Sequence, residues 1–391
     1  MRDLLLGREP KDFDVATDAS PEQVREVFRN CRLIGRRFRL AHVHFGQEII
    51  EVATFRAGQD GEQSEEHQTD EGRLLRDNVY GNIEQDAMRR DFSVNALYYN
   101  IADFSIIDYA GGVEDLQQGV LRLLGDPETR YREDPVRMLR AMRFAAKLGF
   151  RLAPDTAAPI GTLGALLADV PPARLFEEVL KLFLGGIAVA SFEKLRQYGL
   201  FAHLFAETDG CLAQLDHEFP LTLVLNGLDN TDNRIREGKP VTPAFLFAVL
   251  LWEPVRQRAE LLQAGGTAPH QAIQQASAEV LSRQLERVSL PRRFSTPMQE
   301  IWSLQPRFGH TRGKRPQRLL AHPRFRAAYD FMLLRAASGE ADTELAAWWT
   351  ALQDGNSEAP PPSKPESEGR RPRRGRRGRG RRRSAAPAVE G

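Results

Sequence analysis

Two spacings of apolar residues divide the chain. Between Arg37 and Phe55 the alternation has the two-residue period of half-buried strands: Arg37 to Phe45 and Glu48 to Phe55 read as two strands joined by a turn at Gly46-Gln47. Upstream, Ser20-Pro21-Glu22-Gln23 is a capping box with proline in the first turn, and Val24, Val27 and Phe28 form one apolar stripe on the helix that follows. The stretch from Ala57 to Glu71 is polar, acidic and glycine-containing and reads as a mobile loop. Strand and helix signals thus mix over residues 1–120.

From about residue 121 the spacing becomes helical. Asp134-Pro135 is a cap followed by proline at the first position, and Gly149 stops that helix. A second helix covers Ala173 to Leu184 and stops at Gly185-Gly186, and the pattern stays helical from 191 to 345. The most apolar run, Phe245 to Trp252, is far short of the roughly 20 residues of a membrane-spanning helix. With Thr242 as N-cap and Pro243 at the first position, it reads as a buried core helix. After about residue 354 the chain turns to Pro, Ser and Glu, then to Arg and Gly, a composition unable to bury an apolar face, so disorder is expected. The fold class that follows is α+β: a small head with a mixed sheet (1–120), helical segments over 121–190 and 191–345, and a disordered tail over 346–391. No internal repeat is visible.

With 391 residues and 41% hydrophobic content the chain can bury sizeable cores. Its net charge of +1 hides an asymmetry. Arg370 to Gly391 holds ten Arg and one Glu, a net of about +9, which leaves about −8 for the rest. A basic tail on an acidic body points to a polyanionic partner. Cys31 and Cys211 form neither a metal-spaced cluster nor a disulfide framework, which suits a reducing cytosol. Met1-Arg2-Asp3 followed by a short leucine run is no secretory signal, so a soluble, cytoplasmic protein without membrane contact is expected.

The candidate chemistry starts at Asp12-Phe13-Asp14-Val15. On a strand, Asp12 and Asp14 share one face while Phe13 and Val15 point into a core. Paired carboxylates repel unless a cation lies between them, and hard oxygen ligands suit Mg²⁺, which also takes substrate phosphate oxygens. Taken alone, the pair also reads as a solvated strand end or turn.

Its context is a set of four blocks. Arg2-Asp3-Leu4-Leu5-Leu6-Gly7 with Lys11-Asp12-Phe13-Asp14 comes first. Arg89-Arg90-Asp91-Phe92-Ser93-Val94-Asn95-Ala96 follows, then Asp108-Tyr109-Ala110-Gly111-Gly112-Val113-Glu114-Asp115-Leu116, then Glu133-Asp134-Pro135-Val136-Arg137-Met138-Leu139-Arg140. In this order they resemble the class II nucleotidyltransferases, the group of tRNA CCA-adding enzymes and bacterial poly(A) polymerases. The resemblance implies a nucleotidyltransferase head (palm), a helical neck that recognises the nucleotide base and a helical body that binds RNA.

It also implies roles. Asp12 and Asp14 hold Mg²⁺, Arg90 contacts the triphosphate of ATP, and Asp91 belongs to the catalytic set. Glu51, on the strand Glu48 to Phe55, is the rival third carboxylate, and the sequence leaves both open. Arg2 in the first block counts among the nucleotide contacts. Asp134 and Arg137 imitate a pairing edge and read the incoming base, while Arg140 and Arg143 continue along the helix towards the triphosphate. The plain alternatives are an ion pair at a helix start for Arg90 and Asp91, and a capping Asp with an intrahelical ion pair for Asp134 and Arg137. The Asp108 to Leu116 block offers turn-forming glycines and no nucleophile, and is expected to set head against neck.

Within the family, Leu33-Ile34-Gly35-Arg36-Arg37-Phe38-Arg39-Leu40-Ala41-His42-Val43 is similar to the signature of bacterial poly(A) polymerases. Ile301 to Phe308 and His322 to Asp330 resemble the polymerase body. The implied activity is template-independent addition of AMP from ATP to RNA 3′ ends with release of pyrophosphate, in mRNA processing and decay. CCA addition to tRNA and a non-catalytic RNA-binding role are the alternatives. His42 and His44 alternate on a strand and read as ordinary strand positions rather than metal ligands. Arg307-Phe308, Arg312, Lys314-Arg315, Arg318 and Arg324-Phe325-Arg326 suit a groove following single-stranded RNA with aromatics for stacking, whereas Trp302 and Tyr329 read as core. The Arg370 to Arg383 tail is expected to neutralise RNA phosphates without reading sequence. Family members carry a strand and a Gly-Gly pair just before the position of Met1, so a start inside a longer reading frame, or a weakened head, is expected.

Overall fold

Alternating side chains from Leu40 to Thr54 need a neighbour on each edge, and the head supplies a four-stranded mixed sheet. In the computed structural model, which describes residues 1–10, 13–35, 39–57, 80–213 and 219–354, the strands are β1 (Asp14–Thr17), β2 (Cys31–Ile34), β3 (Leu40–Phe45) and β4 (Glu48–Thr54). Their order is β1-β4-β3-β2. β3 runs antiparallel to β2 and β4, and β1 runs parallel to β4 with Asp14 opposite Glu51. The β3–β4 hairpin turns at Gly46, whose φ of +64° favours glycine.

Short helix α1 (Arg2–Leu5) precedes the sheet and α2 (Pro21–Val27) covers one face of it. Ser20 accepts from the Gln23 amide and Gln23 answers back, so the capping box forms. The expected apolar stripe does not. Val24 is buried against Ala41 and Val43, but Val27 is 73% exposed and Phe28 lies past the helix end in an extended conformation. The face that this seven-residue helix turns to the sheet carries Pro21 and Val24, its two buried residues. Phe13 and Val15, expected in a core, are also exposed, because β1 is the sheet's edge and α2 packs over β3. Lys11-Asp12, residues 36–38 and residues 58–79, which hold all of the expected loop Ala57 to Glu71 but its first residue, lie outside the described residues.

Helix α3 (Ile83–Met88) and the β5–β6 hairpin (Leu97–Tyr99, Ile106–Asp108) lead to α4 (Gly112–Gln118) and β7 (Val120–Leu121). The next helices are α5 (Pro127–Glu133) and α6 (Val136–Leu148), then β8 (Arg151–Leu152) pairs in parallel with β7. Gly149 ends α6 at φ +75°. Helices α7 (Pro154–Ala157), α8 (Ile160–Leu163) and α9 (Pro172–Phe183) complete this segment.

Helices α10 (Ala188–Gln197), α11 (Leu200–Leu204), α12 (Ala206–Leu212) and α13 (Phe219–Arg236) lead to α14 (Pro243–Leu250). Thr242 caps α14 and every residue from Leu246 to Leu250 is buried, as the apolar run requires. Six helices follow: α15 (Trp252–Ala264), α16 (Pro269–Arg287), α17 (Arg292–Phe308), α18 (Arg315–Leu320), α19 (Phe325–Ala337) and α20 (Thr343–Gln353). One apolar core runs from Phe92 and Val94 through α6 and α9 to Trp302 and Phe331. No helix among the described residues is long and apolar enough to cross a membrane.

A second core gathers Phe308, Phe325, Tyr329 and Trp349. It corrects two expectations. Phe308 and Phe325 are 1% and 6% exposed, so they are packing residues and offer no stacking face to RNA. The tail cannot begin at residue 346, since α20 runs to Gln353 and buries Trp349 completely, with its indole N–H donating to the Phe308 carbonyl at 3.0 Å. Trp349→Ala is expected to destabilise this unit by about 3–5 kcal/mol, the usual cost of emptying a buried indole site. Urea unfolding measures it, and a decrease under about 1 kcal/mol would count against α20 as part of the folded body.

Candidate active site

The parallel pairing of β1 with β4 places Asp14 and Glu51 at one register position, so their side chains leave the same face on adjacent strands. His42 on β3 is in register with Glu51, and its Nε2 lies 3.3 Å from Glu51 Oε1. Among the described residues Asp14 has no hydrogen-bond or ion-pair partner, and both carboxylates are exposed. Two acceptor-only groups side by side with no arginine or lysine between them fit a divalent cation. Asp12, the expected third member, lies outside the described residues, and among those described no group of three His, Cys, Asp or Glu could hold a metal ion.

The Arg89-Arg90-Asp91 run ends α3 and turns into a 3₁₀ segment at Ser93–Asn95, and its side chains separate. Arg90 pairs with Asp86, one helical turn back, with Nη2 3.2 Å from Oδ2, and its guanidinium lies over the Tyr98 ring. Asp91 turns the other way. Its Oδ2 accepts from Arg140 Nε of α6 at 2.9 Å and from the same guanidinium's Nη2, while Oδ1 accepts from the Phe92 amide and Asn95 Nδ2. Burial works against this charge, but Arg140 and Asn95 outweigh it and hold the carboxyl below its usual range. With its lone pairs so engaged, Asp91 serves as an anchor between head and neck.

Asn95 extends the anchor, accepting from Arg2 Nη1 on α1. Arg2 also pairs with Asp3, whose other oxygen meets Lys147 Nζ of α6 at 3.0 Å. The guanidinium carbons of Arg2, Arg140 and Arg143 lie 4.9, 5.5 and 4.7 Å from the Phe144 ring centre. Arg143 is the least answered of the three: its Nε is buried without a partner, and burial together with Arg140 pushes its pKa down. A guanidinium stays charged under such pressure, so this corner suits an anion.

Asp134 lies between α5 and α6 and does not pair with Arg137. Its Oδ2 meets Arg174 of α9 at 2.7 Å and its Oδ1 accepts from the Val136 amide. Arg137 Nη1 donates to the Arg130 carbonyl and to Glu133. The intrahelical ion pair of the plain alternative does not form: Arg137 of α6 pairs with Glu133, the last residue of α5. Arg130 reaches back from α5 to the carbonyls of Arg89 and Arg90 at 2.9 and 2.8 Å.

The glycine block is a backbone device. Asp108 accepts from the amides of Ala110, Gly112 and Val113, and although burial opposes its charge these donors keep its pKa low. Gly112 packs so closely on Ser93 that a Cβ would lie 2.3 Å from the Ser93 carbonyl oxygen. Buried Asp115 then accepts from Ser93 Oγ and Arg122. Asn95, Phe144, Asp86, Tyr98 and Arg174 had drawn no role from sequence. Only Asp86 carried a local signal, its four-residue spacing from Arg90.

Far from this site, Arg312, Lys314, Arg315 and Arg318 have no acidic partner among the described residues, and an open groove of about 510 Å³ runs along Lys314, Gln317, Arg318 and Ala321.

Comparison with known proteins agrees with the order of these parts. Residues 1–122 match the family described as the poly A polymerase head domain. Residues 149–212 match the probable RNA and SrmB-binding site of polymerase A, and 265–384 its arginine-rich C-terminus. Poly(A) polymerase I of Salmonella typhi is 51% identical over 371 residues, which span 93% of this chain and 79% of that one. The CC-adding tRNA nucleotidyltransferase of Halalkalibacterium halodurans is 38% identical over 201 residues, 51% of this chain and 47% of its own length. A solved tRNA-processing enzyme complex shares the fold with a TM-score of 0.63 at 22% identity, covering 93% of this chain and 88% of that one.

The head–neck anchor makes an acid-side prediction. Arg2 first, then Lys147, holds the Asp3 carboxyl at about 2 against its ordinary 3.8. A lowered folded-state pKa contributes stability that is complete above about pH 4 and is lost as pH falls towards 2. Urea midpoints between pH 5 and 2 are expected to show this decline, and Lys147→Ala to reduce it. An unchanged acid limb in Lys147→Ala would show that the ion pair contributes nothing.

Proposed function

This chain belongs to the poly(A) polymerase family, and we propose that it adds AMP from ATP to RNA 3′ ends and releases pyrophosphate. The observation that carries the catalytic part is the Asp14–Glu51 register pair, two carboxylates on one sheet face with no arginine or lysine partner among the described residues. We assign the third carboxylate to Glu51 rather than Asp91, because Arg140 and Asn95 already occupy the oxygens of Asp91. Asp14 and Glu51, with Asp12, would hold Mg²⁺, which lowers the pKa of the attacking hydroxyl and neutralises charge on the leaving pyrophosphate.

The remaining tasks fall to this chain's own side chains. Arg90 approaches from the head, while Arg2, Arg140 and Arg143 supply positive charge from the corner around Phe144, where three guanidinium groups exceed the nearby acids. The chemistry needs in-line positioning and charge neutralisation and no covalent intermediate. Asp134, steadied by Arg174, offers an acceptor to the amino group of adenine, and Arg137 offers donors to its ring nitrogens. RNA follows the cationic groove of the body, where Arg312, Lys314, Arg315 and Arg318 meet phosphates. Similarity to a poly(A) polymerase over most of the chain, against half a chain for a CC-adding enzyme, favours ATP over CTP as the nucleotide.

With each NTP supplied separately on a short RNA, ATP is expected to be incorporated and CTP is not; efficient CTP use would overturn the choice of nucleotide. Asp12→Ala, Asp14→Ala and Glu51→Gln are each expected to cost on the order of 10²–10³ in kcat or more, and a chelator to stop the reaction. Asp91→Asn should instead lower stability while leaving the Mg²⁺ dependence of the remaining activity unchanged; the reverse pattern would return the metal role to Asp91. Replacing Arg315 and Arg318 by Gln should flatten the slope of log K against log salt by about 1.4, since each phosphate neutralised on a single strand accounts for ~0.7.

A further inference from the structure

Asp86 is 7% exposed within α3, and three elements converge on it. Its Oδ1 accepts the Arg56 amide, just past β4, at 3.2 Å. Its Oδ2 accepts the Tyr98 hydroxyl from β5 and Arg90 Nη2 at 3.2 Å. Arg89 Nη1 stands 3.8 Å from the same carboxylate. Tyr98 in turn accepts from Arg90 Nε at 3.0 Å, carries the guanidinium over its ring at 4.9 Å, and is braced edge-on by Phe55. Burial first, and then the bond to Asp86, push the phenol above its usual range, so it remains a donor to that carboxylate.

The arrangement fixes one side of Arg90 and leaves the other for use. Nε and Nη2 are committed to Tyr98 and Asp86, and one face of the guanidinium is covered, while among the described residues Nη1 makes only a 3.4 Å contact with the Asn95 carbonyl. The Arg90 side chain is 41% exposed although its partner carboxylate is buried. A carboxylate sunk behind a half-exposed guanidinium does little for the ion pair itself, because the exposed partner keeps its water. It does set the direction in which the free edge points, as supporting residues do behind a binding group.

We propose that Asp86 and Tyr98 are positioning residues that aim Arg90 at the triphosphate of the incoming nucleotide, a role resting on the assignment of Arg90 as a triphosphate contact. Both act through Arg90 and neither touches the nucleotide.

The test is a set of kinetic cycles on the full chain with ATP and a short RNA, with inorganic tripolyphosphate as a base-free competitor. Arg90→Ala is expected to raise KM for ATP and Ki for tripolyphosphate about tenfold. Tyr98→Phe keeps the ring and removes the hydroxyl; Asp86→Asn keeps the shape and removes the charge. Each is expected to raise both constants several-fold with KM for RNA unchanged, and Asp86→Glu to recover part of the effect. On the Arg90→Ala background Tyr98→Phe should add nothing. Unchanged constants in Tyr98→Phe and Asp86→Asn, or an undiminished effect of Tyr98→Phe without Arg90, would overturn the positioning role. An Arg90→Ala protein with normal constants would overturn the triphosphate assignment itself, and the positioning role with it. Tyr98→Phe melting as the parent does separates these readings from simple unfolding.

Discussion

Three guanidinium groups cannot be gathered around one phenyl ring unless acids answer them. Arg2, Arg140 and Arg143 surround Phe144, which sits on α6 with its ring packed edge-on against Phe92 of the head. Mutual repulsion and lost hydration both oppose this grouping. Asp91 answers Arg140 from the head and Asp3 answers Arg2, while Asn95 bridges the two by donating to one acid and accepting from Arg2. The acids come from the head and the row of bases largely from α6, so the same contacts that tolerate the charge fix the neck against the sheet. Removing one partner from such a cluster strands a desolvated charge, which in buried pairs costs about 3–5 kcal/mol. Arg143, with its buried Nε unmatched, is the member of the group that no hydrogen bond answers among the described residues.

This constraint explains why adjacent residues of the Arg-Arg-Asp run do different work. Arg90 is drawn into the head by Asp86 and Tyr98, and Asp91 is drawn out of it by Arg140. Between them Arg130 clasps the carbonyls of Arg89 and Arg90 from α5, so the run is held by backbone as well as by charge. Three residues thereby join the head to α5 and α6. Gly112 completes the joint, because its close approach to the Ser93 carbonyl admits no side chain.

Local signals are legible in the sequence wherever local chemistry decides the outcome. The Ser20 capping box, the Gly46 turn, the Thr242-Pro243 helix start and the Gly149 stop each depend on a few neighbouring residues, and each is present. Tertiary partners are not legible in the same way. Asp134 and Arg137 are three apart, yet one binds Arg174 and the other Glu133, because α9 brings a second arginine against Asp134 that no local spacing announces. Glu51 stands level with Asp91 as a candidate, since nothing local announces that β1 and β4 lie side by side in parallel with Asp14 opposite Glu51. Phe13, Val15, Val27 and Phe28 have the right periodicity for burial, but whether a face is covered depends on which strand lies at the edge. Phe308 and Phe325 look available for stacking in the sequence, yet both rings pack on Trp349 of α20, beyond the expected end of the body.

Charge balance also limits how such a protein meets RNA. Outside its Arg-rich end the chain carries about −8, which disfavours a polyanion at long range. Within a Debye length of about 8 Å at physiological salt, only the local surface counts. Several arginines elsewhere are committed: Arg256 to Glu253 and Glu260, Arg283 to Glu207, Arg324 to Glu300, Arg335 to Glu340. Cations paired in this way offer a phosphate little, since binding it would first require breaking an ion pair. The stretch from Arg312 to Arg318 has four bases and no acids to hold them among the described residues. It lies between α17 and α19 on the folded body, with its four cations exposed to solvent. A phosphate arriving there has no ion pair to break. Here the local surface, rather than the net charge, sets the sign that an approaching polyanion would meet.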